Sequence, residues 1–365
     1  GLLALALAFT ACGGGGPSAD NVPGKVLVLG LDGAEWDLLG PMIEAGEMPN
    51  LARIMERGVY GKLRSLEPLN KSPVIWTTIG TGRTPAEHGI GSFVDKGQNR
   101  PVTGNVRRVR ALWNILSGVD RRVGVVGWMV TWPAEEVNGF MVSDYLQYSA
   151  RESRKTEKRT YPPEIESELL ADVIPWENVS WEFVQRFLDS PLDTTAMDGR
   201  LEKLLKPIKW ISAGDRTFAR VAEKLYTRER PDFMAVYLRG MDTMGHKYWN
   251  FMNAETVRGI SLDPLGLEYC RGAMKAYYRF TDELVGPLIN MVGEDTAIIV
   301  VSDHGFRGGA RLGIQMHKLD GVILMAGPGV GRGEITGANV YDITPTSLVL
   351  MGLPPAEDMR GKVLW

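Results

Sequence analysis

The chain has 365 residues, more than one minimal domain needs, so it holds either one large domain with an insertion or two domains. Apolar residues make up 44% and charged residues 23%, an ordinary globular balance, and the net charge of −3 gives no basic surface for nucleic acid. Two cysteines exclude a disulfide framework and a cysteine-rich zinc module, so a metal site must be built from Asp, Glu and His, of which there are only four His.

Residues 1–11, GLLALALAFTA, form an apolar run of signal-peptide length, too short to span a bilayer. Cys12 and the flexible run Gly13–Gly16 follow. This pattern resembles a bacterial lipoprotein cleavage site, which implies lipidation of Cys12, a membrane anchor and a place in the cell envelope. Residues 1–24 are thus expected to be processing sequence and tether, with the folded part starting at Lys25.

Lys25–Leu31 (KVLVLGL) is a continuous apolar run that predicts a buried parallel strand, followed at once by Asp32-Gly33. Val59–Ser65 alternates like a half-buried strand. The segments 122–127, 232–238, 296–301 and 321–326 are further short apolar runs. Strands alternating with helical stretches predict an α/β fold, a three-layer sandwich around a mostly parallel sheet. Residues 145–230 carry more charge and aromatic residues, with helical periods at 201–206 and 217–226. They are expected to form a helical cap inserted between the core segments 25–144 and 231–365.

Ligands bind beyond the carboxyl ends of parallel strands. Three predicted strands run into acids there: Asp32, Asp242, and Asp303 beside His304. Asp242 and His246 are four apart and share a face if helical, so they can grip one cation. Asp303 and His304, adjacent on a turn, can serve one ion or bridge toward two. His317 follows in a Gly-rich loop. Carboxylate and neutral imidazole suit Zn²⁺ and tolerate Mn²⁺ or Fe. An acid after a strand is also a common helix N-cap, which accounts for Asp32 alone but not for three of four histidines in these same segments. His88 reads as structural.

Ser72 precedes Pro73 at a predicted helix start, where Pro loses nothing. That position fits a plain N-cap, which this segment alone favours, or a nucleophile beside phosphate-binding N–H groups. The stretch Thr81–Ile90 (TGRTPAEHGI) resembles the TG-x-x-P-x-x-HGI signature of the type I phosphodiesterase/nucleotide pyrophosphatase family, in the alkaline phosphatase superfamily. Counting back places Ser72 at that family's Thr/Ser nucleophile, and the other motifs occur in family order between Lys25 and Gly352.

The resemblance implies an enzyme that cleaves phosphoric esters with two divalent ions. Asp32, Asp303 and His304 would hold the ion that activates Ser72; Asp242, His246 and His317 would hold the second. Ile75 stands where the pyrophosphatases carry a phosphate-contacting Asn, which leaves Lys71 as a candidate replacement. The expected substrate is a small phosphodiester or nucleotide pyrophosphate. Phosphomonoester or phosphonate cleavage, transfer of an envelope headgroup, and a binding lipoprotein without turnover are the alternatives. Trp176, Trp181 and Trp210 in the insertion either stack a base or pack helices.

Overall fold

The computed structural model describes residues 24–95, 100–147, 157–309 and 316–364; Cys12 lies outside them. In chain order the strands are β1 (Lys25–Leu31), β2 (Val59–Arg64), β3 (Val94–Asp95), β4 (Arg100–Pro101), β5 (Val123–Val126), β6 (Gly139–Val142) and β7 (Thr160–Tyr161). They continue as β8 (Phe233–Leu238), β9 (Thr296–Val301), β10 (Gly305–Phe306), β11 (His317–Lys318), β12 (Asp320–Ala326) and β13 (Gly333–Asn339). Nine of these form one sheet in the order β13-β2-β12-β9-β1-β8-β5-β6-β7, and β3–β4 and β10–β11 are separate ribbons.

The centre of the sheet is parallel. β1 pairs with β8 and β9, and β5 pairs with β8 and β6, all in parallel, while β12 runs antiparallel to β2 and β9, and β7 antiparallel to β6. Successive side chains on a strand point to opposite faces. Leu27, Leu29 and Leu31 of β1 therefore join one core cluster, and Val26 and Val28 join the other. The first cluster includes the helices Pro49–Arg57, Gly199–Glu229, Gly240–Met252 and Ala273–Asn290; the second includes Ser72–Thr81, Leu112–Ser117 and Ile343–Leu350. Helices cover both faces, which makes the three-layer α/β sandwich. No helix among the described residues is long and apolar enough to cross a membrane.

The insertion differs from a simple cap. Its two helical periods are one helix, Gly199–Glu229, continuous through Pro207. Proline interrupts a helix in sequence but here costs one hydrogen bond that packing offsets. Phe218, Val221, Ala222 and Leu225 on this helix are buried in the first core cluster, so its C-terminal half is part of the helical layer rather than a lid. The segment also holds the edge strand β7 and the short helices Glu166–Leu170 and Trp181–Gln185.

Candidate active site

The register of the central strands sets the site. Leu31 of β1 is level with Leu238 of β8, and Gly30 is level with Val301 of β9. Asp32, Asp242 and Asp303 therefore leave the sheet at the same edge. The backbone turns sharply after Asp32: Gly33 has φ +72°, and a Cβ there would fall 2.8 Å from Asp242 Cα. Asp32 is not a helix cap, since Glu35 caps the helix Trp36–Glu44.

Asp32, Asp303 and His304 form one group of potential ligands, and Asp242, His246 and His317 form another. His304 Nε2 lies 3.4 Å from Asp32 Oδ1 and 3.5 Å from Asp303 Oδ2. All three atoms are buried without a hydrogen-bond partner. Each ligand's other polar atom is occupied. Trp76 Nε1 and Tyr237 Oη donate to Asp32 Oδ2 at 3.0 and 2.5 Å, and the Gly33 N–H donates to Asp303 Oδ1 at 3.4 Å. His304 Nδ1 donates to the Gly305 carbonyl at 3.0 Å, which turns Nε2 toward the carboxylates.

In the second group His246 Nε2 and His317 Nε2 lie 3.0 Å apart, and each is 3.2 Å from Asp242 Oδ1. Zn–N distances of ~2.0–2.1 Å put neighbouring donors of a tetrahedral site roughly 3.3 Å apart, the spacing both groups show. Asp242 and His246 are on one face of the helix Gly240–Met252. His317 lies in β11, paired with Phe306 of β10, rather than in a loop.

The electrostatics point the same way. Burial raises Asp32 well above the carboxylate range, helped by Asp303 and Asp242. Burial also pushes Asp303 up to about 8. For Asp242 burial acts upward too, but hydrogen bonds from His246 and His317 outweigh it and lower the carboxyl. Burial pushes His317 down to about 4, toward the neutral form that ligates metal. Three carboxylates gathered with unpartnered oxygens are costly unless protonated or matched by cations. The orphaned donor atoms and their spacing fit divalent ions in both groups.

Ser72 is the first residue of the helix Ser72–Thr81, and Lys71 is its N-cap with no side-chain capping bond. The plain-cap reading of Ser72 is thus corrected: Ser72 comes one residue after the cap. Its hydroxyl makes no hydrogen bond among the described residues, although the residue is 5% exposed. Trp76, four residues on and on the same helical face, donates to Asp32. The helix that begins at Ser72 thus contacts the first group through Trp76. Ile75 is buried in the core, and Lys71 is exposed with Nζ donating to Ser92 Oγ at 3.0 Å.

His88 is structural, as expected. It is buried, Nδ1 accepts the Ile90 N–H at 3.1 Å, and Nε2 meets Thr78 Oγ1 at 3.1 Å. Burial pushes it down to about 4. Lys206, Lys209 and Arg239 stand over the rings of Trp176, Trp181 and Trp210 at 4.7, 4.5 and 5.5 Å, so a cation occupies one face of each.

Sequence reading missed the supporting layer. Trp76 and Tyr237 orient Asp32, and buried Asp215 accepts the Arg239 and Gly240 N–H groups at 3.2 and 3.1 Å, holding the start of the Asp242 helix. A Tyr inside the aliphatic run of β8 was the one readable signal.

A sandwich with two such groups at adjacent strand ends defines the class, a hydrolase fold of the alkaline phosphatase superfamily. The profile of the type I phosphodiesterase/nucleotide pyrophosphatase family matches residues 26–346. The chain belongs to that family, whose members are hydrolytic enzymes. Its sequence matches no curated protein. Wild-type alkaline phosphatase PafA is 13% identical, with a TM-score of 0.54 over 93% of this chain and 98% of that one. A 2-O GAG sulfatase, BT1596, is 13% identical, with a TM-score of 0.59 over 94% of this chain and 73% of that one. These likenesses bear on the fold. Phosphonoacetate hydrolase from Sinorhizobium meliloti 1021 is 21% identical with a TM-score of 0.44, covering 78% of this chain; the chain spans 57% of that enzyme.

Proposed function

We propose that the protein hydrolyses phosphodiesters or nucleotide pyrophosphates, with Ser72 as nucleophile and two divalent cations, Zn²⁺ foremost and Mn²⁺ or Fe as alternatives. The observation that carries this reading is the convergence of unpartnered Asp32 Oδ1, Asp303 Oδ2 and His304 Nε2, with Trp76 of the helix that begins at Ser72 bonded to Asp32. Asp32, Asp303 and His304 would hold one cation, and Asp242, His246 and His317 the other. Such ions, when bound, favour ionisation of a nearby hydroxyl and neutralise charge on phosphoryl oxygens.

The chain's own groups supply the rest. Ser72 Oγ loses its proton and bonds to phosphorus as the bond to the leaving oxygen breaks. The proton ends on the leaving alcohol of a diester or the leaving phosphate of a pyrophosphate; water then attacks the phosphoserine, its oxygen going to phosphorus and a proton to Ser72 Oγ. Trp76 and Tyr237 keep Asp32 turned inward throughout. Lys71, the cation next to Ser72, is partly committed to Ser92. That supports a singly charged diester over a doubly charged monoester.

Cys12 is proposed as a lipid attachment site at the cell envelope, on the strength of the apolar run before it and the glycines after it. The mass of the mature N-terminus tests this.

The main test is hydrolysis of a chromogenic phosphodiester and the matching monoester by the zinc-loaded protein, beside Ser72→Ala. Faster diester cleavage that disappears in the variant supports the reading. Faster monoester or phosphonate cleavage moves the substrate class. No turnover with metal bound favours headgroup transfer or binding alone.

A further inference from the structure

We infer that Glu35 is a positioning residue that holds both ligand groups in register through one buried carboxylate; the inference rests on the metal reading above. Glu35 sits three residues after Asp32 and is 3% exposed. Its Oε2 accepts the Phe306 N–H at 2.8 Å, and its Oε1 accepts Lys318 Nζ at 2.9 Å. Phe306 is two residues beyond His304, and Lys318 is the neighbour of His317. One side chain thereby ties the segment of Asp32 to β10, which begins just after His304, and to β11, which carries His317.

The fit is close. A Cβ on Gly305 would fall 2.3 Å from Glu35 Oε2 and 2.4 Å from the Asp320 carbonyl. The glycine after Asp303-His304 therefore makes room for this carboxylate. The Phe306 ring, fixed by the same bond, packs at 5.2 Å from the ring of His246 and 5.4 Å from that of His317. Any slip of Phe306 moves against both.

Glu35 also caps the helix Trp36–Glu44, with Oε1 accepting the Asp37 N–H at 3.1 Å. Capping alone does not explain a glutamate, because Asp, Asn and Ser are preferred at that position. The longer side chain is needed to reach Phe306. This separates the roles experimentally: Glu35→Asp keeps charge and cap but falls short of Phe306, whereas Glu35→Gln keeps the reach and an acceptor for Phe306 but turns its NH2 toward Lys318 and the Asp37 N–H, losing the ion pair and the cap.

The test is zinc titration of the full chain against a chromophoric chelator, with melting of each metal-free variant recorded alongside. Loss of an outer-shell partner costs about 10–100-fold in metal affinity. Glu35→Asp is expected to lose that much for both ions while melting as a folded protein, and Glu35→Gln to stay closer to wild type. Glu35→Asp that binds two zinc ions as tightly as wild type overturns the inference alone. A wild-type protein that takes up no zinc overturns the metal reading with it.

Discussion

The rings of His304 and His317 lie face to face, with centroids 3.6 Å apart and planes 14° apart, so the two ligand groups share a wall. Asp242 Oδ1 is 3.2 Å from His317 Nε2 and 3.8 Å from His304 Nε2. Without cations this arrangement leaves Asp32 Oδ1 and Asp303 Oδ2 buried with no hydrogen-bond partner. Chelation is therefore expected to abolish turnover and to lower the melting temperature, and zinc to restore both. Ligand at about 100 times its Kd adds about 2.7 kcal/mol per site. At about 1.5 °C per kcal/mol for a chain of this length, two ions are expected to raise the melting temperature by about 8 °C. Calorimetry with and without chelator checks this, and equal melting temperatures would remove the ions from the site.

Ser72→Ala separates chemistry from stability. The Ser72 hydroxyl makes no hydrogen bond among the described residues, and the N-cap is Lys71. Its loss removes no hydrogen bond among the described residues and should change stability by about 1 kcal/mol or less. A nucleophile's loss should lower kcat by about 10³-fold or more, with zinc binding kept. A variant with wild-type turnover would exclude Ser72 as nucleophile.

The metal-free protein should lose stability as pH rises from about 6.5 to 8. Burial holds Asp303 up to about 8 and raises Asp32 as well. Burial lowers His246, but the hydrogen bond and charge of Asp242 more than offset this and raise it. In that window the folded chain binds more protons than the unfolded chain, so stability falls with pH. His88 and His317, pushed down to about 4 by burial, have the opposite sign; the unfolded chain is still giving up their protons as pH rises past about 6.5, so they offset part of the fall at the low end of the window. Asp144 and Asp215, raised by burial to about 6, titrate below the window. Bound cations keep the ligands deprotonated and remove the slope. Urea midpoints at pH 6.5 and 8, with and without zinc, measure this; a metal-free midpoint that rises with pH contradicts it.

The candidate ligands that the structure brings together were legible because apolar runs announce strands, and Asp32, Asp242 and Asp303 follow within four residues of the ends of three of them. The six strands read from the sequence are present. β6 was missed because four residues after an Asn-Gly pair give little periodicity. β13 (GEITGAN) was missed because an exposed polar edge strand has no apolar face to read. The supporting layer was illegible for a different reason. Glu35 finds Phe306 and Lys318 across 271 and 283 residues, and Tyr237 finds Asp32 across 205. Such pairs exist only once the sheet has formed. Asp215 likewise reads as a polar residue on a long helix until the helix packs against β8.

Gly33 offers the sharpest test of how closely the strand ends are fitted. Its φ of +72° is left-handed, where a Cβ is strained, and the added atom would meet Asp242 Cα at 2.8 Å and Cβ at 2.9 Å. Both contacts are shorter than real Cβ contacts allow, and the partner atoms are backbone and the root of a side chain, which cannot swing aside. Asp242 would have to move, and with it the point where His246 and His317 converge. Gly33→Ala is expected to cost about 1–3 kcal/mol from backbone strain and to weaken zinc binding at the second group more than at the first. Thermal melting reads the stability loss, and zinc stoichiometry at sub-saturating metal reads the site. A variant that binds both ions with wild-type affinity would mean that the turn after β1 adapts without moving Asp242.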